Sequence, residues 1–168
     1  GGCVLDLGCG NGVPADRLLV DAGYAVHGVD ISPVQVARAG AAIPGARYTC
    51  ADMATVDWPE GAFDAIVCFY ALIHVPVAEQ PALLERMAHW VRPGGHLLVT
   101  VGHRAWTGTE EGWLVDGATM YWSHADEATY LAWLAESGLT VLWARFVPEG
   151  DGGHTLVLAT KPNAAGPT

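Results

Sequence analysis

Hydrophobic and polar positions alternate along this chain in two periods. Compact apolar runs at 4–7, 25–29, 63–69 and 97–101 each end at glycine, an acid or a polar residue, which predicts short strands buried on both faces. Between them the period lengthens to that of a helix, most clearly at 79–91, where Leu83, Leu84, Met87 and Val91 fall on one face. Strands alternating with helices imply a parallel sheet covered on both sides, an α/β fold. Arg92-Pro93-Gly94-Gly95 reads as a helix stop and turn before the strand at 96–100.

The pattern changes beyond residue 101. A helix is predicted over 126–137, with Leu131, Leu134 and Ala135 inward and Gly138 as its stop. Two strands follow, 139–147 and 154–160, and their short Pro/Gly-rich connection forces them antiparallel. Two capping boxes are visible, Ser32-Pro33-Val34-Gln35 and Ser123 with Asp126. Residues 103–122 show no clear period. The length of 168 residues suits one core, so a single domain is expected over 1–161, with a flexible tail at 162–168.

The richest segment is Val4-Leu5-Asp6-Leu7-Gly8-Cys9-Gly10-Asn11-Gly12. An apolar strand runs into a glycine turn that lets the backbone approach a ligand closely. A dinucleotide fingerprint would need its third glycine at 13, where Val13 stands. Asp6 would also repel a pyrophosphate, whereas it suits a cation such as the sulfonium of S-adenosylmethionine, which carries no phosphate.

The motif, with the strand-end residues that follow it, resembles the class I S-adenosylmethionine-dependent methyltransferases of the small-molecule type. That resemblance spans residues 3 to about 160. It implies a Rossmann-like three-layer sandwich whose mostly parallel seven-stranded sheet has its last strand inserted antiparallel between the fifth and sixth. It also implies that Asp6, Gly8, Cys9 and Gly10 border the cofactor and that Asp30, followed by Ile31, takes the ribose hydroxyls. Asp30 read alone is also compatible with a helix cap or a surface carboxylate. By the same resemblance Asp52 accepts from the adenine amino group, the Met53 amide bonds a ring nitrogen, and Phe69 offers a carbonyl near the methionine end.

Composition narrows the partners. Net charge is −10 with Lys and Arg scattered, so nucleic acid is not expected. The most apolar window, 62–78, is broken by Asp64, His74 and Pro76 and is no membrane span. With no signal peptide visible the cytoplasm is the default compartment. Cys3, Cys9, Cys50 and Cys68 lack C-x-x-C spacing and read as small buried thiols. The sequence leaves the oligomeric state open.

For the chemistry, a small-molecule acceptor of the methyl group is expected, through O, N or S. No D/N-P-P motif follows the fourth strand and no carboxylate lies in 69–78, which points to metal-free in-line displacement. Trp106, Trp113, Tyr121 and Trp122 either wall the acceptor pocket or seal the loop onto the sheet. Glu110 and Glu111 would hold a cationic acceptor or simply be solvated. Base candidates are His124 first, then His103, with His74 read mainly as a structural residue. A cofactor-binding domain without turnover and an NAD-dependent oxidoreductase are the alternatives. Most members of the family carry a helical segment before the first strand, which here begins at Cys3, so binding of S-adenosylhomocysteine with slow turnover is expected of these residues.

Overall fold

The computed structural model describes residues 1–112 and 116–163. In chain order it runs β1 (Cys3–Leu7), α1 (Ala15–Asp21), β2 (Ala25–Asp30), α2 (Pro33–Ala42), β3 (Arg47–Cys50), β4 (Phe63–Cys68), a 3-10 turn (Leu72–His74), α3 (Gln80–Trp90), β5 (Val91–Gly102), β6 (Trp106–Glu111), β7 (Thr119–His124), α4 (Glu127–Glu136), β8 (Thr140–Glu149) and β9 (Gly152–Thr160).

The apolar runs form the centre of one sheet, ordered β3-β2-β1-β4-β5-β9-β8. Neighbours from β3 to β5 are parallel, and β9 lies antiparallel between β5 and β8. The seven-stranded sheet with its inserted last strand is therefore as the resemblance implies. Val4, Leu5 and Leu7 are buried because β1 has a strand on each side and helices above and below. Right-handed crossovers place α1 and α2 on one face and α3 and α4 on the other. Arg17 ties α1 to α2 through the Ala42 carbonyl, while the Tyr130 hydroxyl ties α4 to Gln80 on α3. Leu83, Leu84 and Met87 anchor α3 in the core, each contributing about 1.5–3 kcal/mol by burial.

Several local expectations change. Residues 92–95 are not a turn but part of a bulged start to β5: Phe63 pairs with Val91 and Ala65 with His96, so four residues on β5 oppose Asp64 alone on β4. On α4 the buried residues are Tyr130 and Leu134, with Leu131 partly buried and Ala135 exposed, because the core lies one helical position away from the predicted face. Asp126 caps α4 alone, accepting from the Thr129 amide at 2.9 Å. Ser123 belongs to β7, where its Oγ accepts from the Val77 amide at 2.9 Å. Cys68 is buried, but Cys3 opens its strand and Cys50 closes the edge strand β3, and both are exposed.

The largest correction falls on residues 103–122. Most of them form an antiparallel hairpin, β6 with β7, pairing Trp106 with His124 and Glu111 with Thr119. It stands off the main sheet and is stitched to the segment after β4, where His74 Nδ1 donates to the Tyr121 carbonyl at 2.6 Å. Among the described residues no helix is long and apolar enough to cross a membrane.

Candidate active site

Two cavities open on the rim formed by the carboxyl ends of the parallel strands, where open α/β sheets bind ligands. The first encloses about 540 Å3. Its floor is the turn after β1, where Gly8 has φ 78° and a Cβ would come within 2.1 Å of the Ala71 Cβ. Only glycine lets the turn press so closely on the segment after β4. The Gly8 and Cys9 amides both donate to the Val29 carbonyl, at 2.8 and 3.0 Å, which locks the turn to the end of β2.

Asp30 leaves β2 at this point and lines the cavity. Its Oδ2 accepts from the Gly10 amide and its Oδ1 from the Ser32 amide, each at 2.8 Å. Asp30 therefore braces the chain just before α2, whose N-cap is Ser32, and lines the cavity with a lone pair on each oxygen left for a ligand. Gln35 completes half of the predicted capping box by donating its amide to Ser32 Oγ at 3.3 Å. Its side-chain Oε1 is buried without a hydrogen-bond partner among the described residues, and Gln35 also lines the cavity. Asp52 holds the Ala54 amide at 2.8 Å and lines the same space with Met53 and Ile31. Glu79 adds a third carboxylate, and no Lys or Arg is among the lining residues.

Asp6, Cys9, Gly10 and Phe69 are not among those lining residues. Asp6 is only 2% exposed beneath the turn. Burial holds its carboxyl well above the ordinary range, and the neighbouring charge of Asp16 raises it further. Asp6 thus lies below the glycines rather than on the cavity wall. Burial raises the Cys9 thiol as well, and Cys9 packs against Gly28. At the fourth strand the cavity is lined by Tyr70 rather than Phe69. Tyr70 has φ 53°, a left-handed conformation uncommon outside glycine.

The second cavity, about 670 Å3, lies between the β6–β7 and β8–β9 hairpins. Trp106, Trp122, His103 and His124 line it. Tyr121 does not: its ring is 40% exposed and it contributes its backbone carbonyl to His74. Trp113 lies outside the described residues. His103 Nδ1 is 3.2 Å from Glu127 and 3.1 Å from the Thr155 hydroxyl. Burial pulls His124 below the ordinary histidine value. His74 both ties the hairpin and lines the first cavity.

Sequence reasoning missed Gln35 and Glu79 in the first cavity and Glu149 and His154 in the second. The last two flank a segment that reads as a plain connection, and they meet diagonally across the hairpin, Glu149 pairing with Gly152 and His154 with Val147.

The methyltransferase-domain family matches residues 4–95. The 2-methyl-6-phytyl-1,4-hydroquinone methyltransferase of Synechocystis is 35% identical over 102 residues, covering 59% of this chain and 31% of that protein. The ubiquinone biosynthesis O-methyltransferase of Xylella fastidiosa is 32% identical over 153 residues, 83% of this chain and 61% of that one. The chain thus spans less than two thirds of these relatives. Among solved structures, an S-adenosylmethionine-dependent methyltransferase from Mesorhizobium loti superposes with a TM-score of 0.77 at 26% identity, over 95% of this chain and 91% of the other.

Proposed function

The chain belongs to the methyltransferase-domain family, and from that premise we propose that it transfers a methyl group from S-adenosylmethionine to an O, N or S atom of a small molecule, as a single cytoplasmic domain over residues 1–161. The observation that carries the reading is the charge of the first cavity, three carboxylates and no Lys or Arg among its lining residues. Phosphates would meet uncompensated repulsion there, whereas a ligand with a sulfonium and an ammonium would be attracted. The lone acceptor Gln35 Oε1 and the free lone pairs of Asp30 fit the ribose hydroxyls, and Asp52 with the Met53 amide fits the adenine edge.

The cofactor supplies a methyl already activated on sulfur, so the protein's task is alignment and exclusion of water. Tyr70, Ala71 and His74 border the first cavity on the side of the second, which supports acceptor binding between the two hairpins. The names of the relatives, one acting on a hydroquinone and one an O-methyltransferase, agree with a small-molecule acceptor.

Calorimetric titration with S-adenosylhomocysteine and, separately, NADH tests the cofactor. Binding of the first and not the second is expected, and the reverse overturns the reading. Transfer of labelled methyl to a small-molecule panel separates an enzyme from a cofactor-binding domain without turnover.

A further inference from the structure

At the turn joining β8 to β9, His154 Nδ1 lies 2.9 Å from Glu149 Oε2. The other carboxylate oxygen, Oε1, accepts from the Tyr70 hydroxyl. An ionised carboxylate only accepts, so the ring proton sits on Nδ1 and Nε2 keeps its lone pair. Three rings fix the orientation of the imidazole. It stacks on Trp122 at 5.9 Å and 21°, and meets Tyr70 and His124 edge-on at 5.6 and 5.8 Å. The His154 side chain stays 13% exposed and lines the second cavity, while Tyr70 lines the first. The pair therefore stands where the two cavities meet.

The surroundings select a ligand chemistry. Trp106, Trp122 and Phe146 give the cavity flat apolar walls suited to a planar ring. Its charged residues are Glu110, Glu149 and Asp151 against Arg104 alone, which disfavours an anion. Besides Glu149, the titratable groups in ring contact with His154 are Tyr70 and His124. Burial and the Glu149 hydrogen bond push Tyr70 up to about 12, so it remains a donor that steadies the carboxylate. His124 is held by backbone groups of Arg104 and Ala125 and has no carboxylate partner among the described residues, so it lacks the Glu–His arrangement that His154 has.

We infer that the second cavity takes an uncharged hydroxylated aromatic acceptor and that His154, positioned by Glu149, is the base that removes its hydroxyl proton. The inference rests on the proposed methyl transfer. In the step, the acceptor oxygen bonds to the methyl carbon as the methyl–sulfur bond breaks and its electron pair passes to sulfur. The hydroxyl proton goes to His154 Nε2 and then to water, so the products are an aryl methyl ether, a neutral thioether and one proton.

The test uses 1-naphthol and catechol as acceptor probes, with 1-naphthoate as the anionic match to 1-naphthol. Wild type should methylate the hydroxylated probes and leave the naphthoate untouched. H154Q should lower kcat by about 100-fold or more, lose the acidic limb of the rate–pH profile and bind S-adenosylhomocysteine as wild type does. H124Q should keep that limb, and E149Q should lower kcat with cofactor affinity unchanged. An acidic limb retained in H154Q, or methylation of 1-naphthoate in preference to 1-naphthol, overturns the assignment. A wild-type protein that binds S-adenosylhomocysteine but methylates no hydroxylated probe overturns it too, while leaving the cofactor cavity standing. Failure to bind S-adenosylhomocysteine overturns the proposed function itself.

Discussion

Tyr130 on α4 donates its hydroxyl to Gln80 Oε1 on α3, and both residues are wholly buried. The Gln80 amide in turn donates to the Val75 and Ser123 carbonyls at 2.7 and 2.6 Å. One side chain thus joins two helices, the segment after β4 and the β6–β7 hairpin. Tyr130→Phe strands the Gln80 oxygen in the core and should cost about 1–3 kcal/mol. Urea unfolding of wild type and variant measures it, and a loss below about 0.5 kcal/mol would mean that the oxygen finds another donor.

Asp30→Ala removes the carboxylate that the Gly10 and Ser32 amides hold toward the first cavity. S-adenosylhomocysteine affinity should fall roughly 10- to 150-fold, equivalent to about 1.5–3 kcal/mol. Titration calorimetry on a variant shown to be folded checks this. Unchanged affinity would remove Asp30 from the ribose site.

Gly8→Ala places a methyl 2.1 Å from the Ala71 Cβ in a residue held at φ 78°. Steric overlap and backbone strain together should destabilise the fold by at least about 1–3 kcal/mol. Cofactor affinity should fall as well, since relief of the clash moves the turn away from β4. Gly10→Ala is the control, because a Cβ there meets no protein atom within 4 Å. Equal stability of the two variants would contradict the packing described.

Stability should also depend on the acids below the turn. Burial raises both Asp6 and Asp16 above the ordinary carboxylate range. The folded protein then keeps protons that the unfolded chain releases near pH 4. That contribution is complete below pH 4 and is lost as pH rises through the folded values. His124, lowered by burial, acts oppositely, adding stability as pH rises toward its unfolded value near 6.5. Asp16→Asn isolates the acids. Between pH 5 and 8 its Tm should gain on that of wild type, and parallel Tm curves would show that Asp16 carries no such burden.

Strand-end acids were legible from sequence because a buried parallel strand is an uninterrupted apolar run and its exit is marked by the first polar residue. Asp30 stands at such an exit, whereas Asp52 follows the largely exposed edge strand β3. Asp6 stands one residue before the end of its run and is enclosed from all sides, and the same apolar pattern carries no sign of depth. The β6–β7 hairpin was illegible for another reason. Most of its residues are exposed, so it lacks the one-sided apolar alternation that betrays a half-buried strand. The link between Tyr70 and Glu149 spans 79 residues, and only the insertion of β9 beside β5 brings its two ends together.

Tyr70 belongs to both cavities, bordering one with its ring and bracing Glu149 of the other with its hydroxyl. Occupants of the two spaces are therefore thermodynamically linked whenever either displaces that ring. Linkage is reciprocal: the factor by which one ligand alters the other's affinity is returned unchanged in the opposite direction. Coupling between the two ligands can thus run through a single phenol, with no hinge or domain closure required.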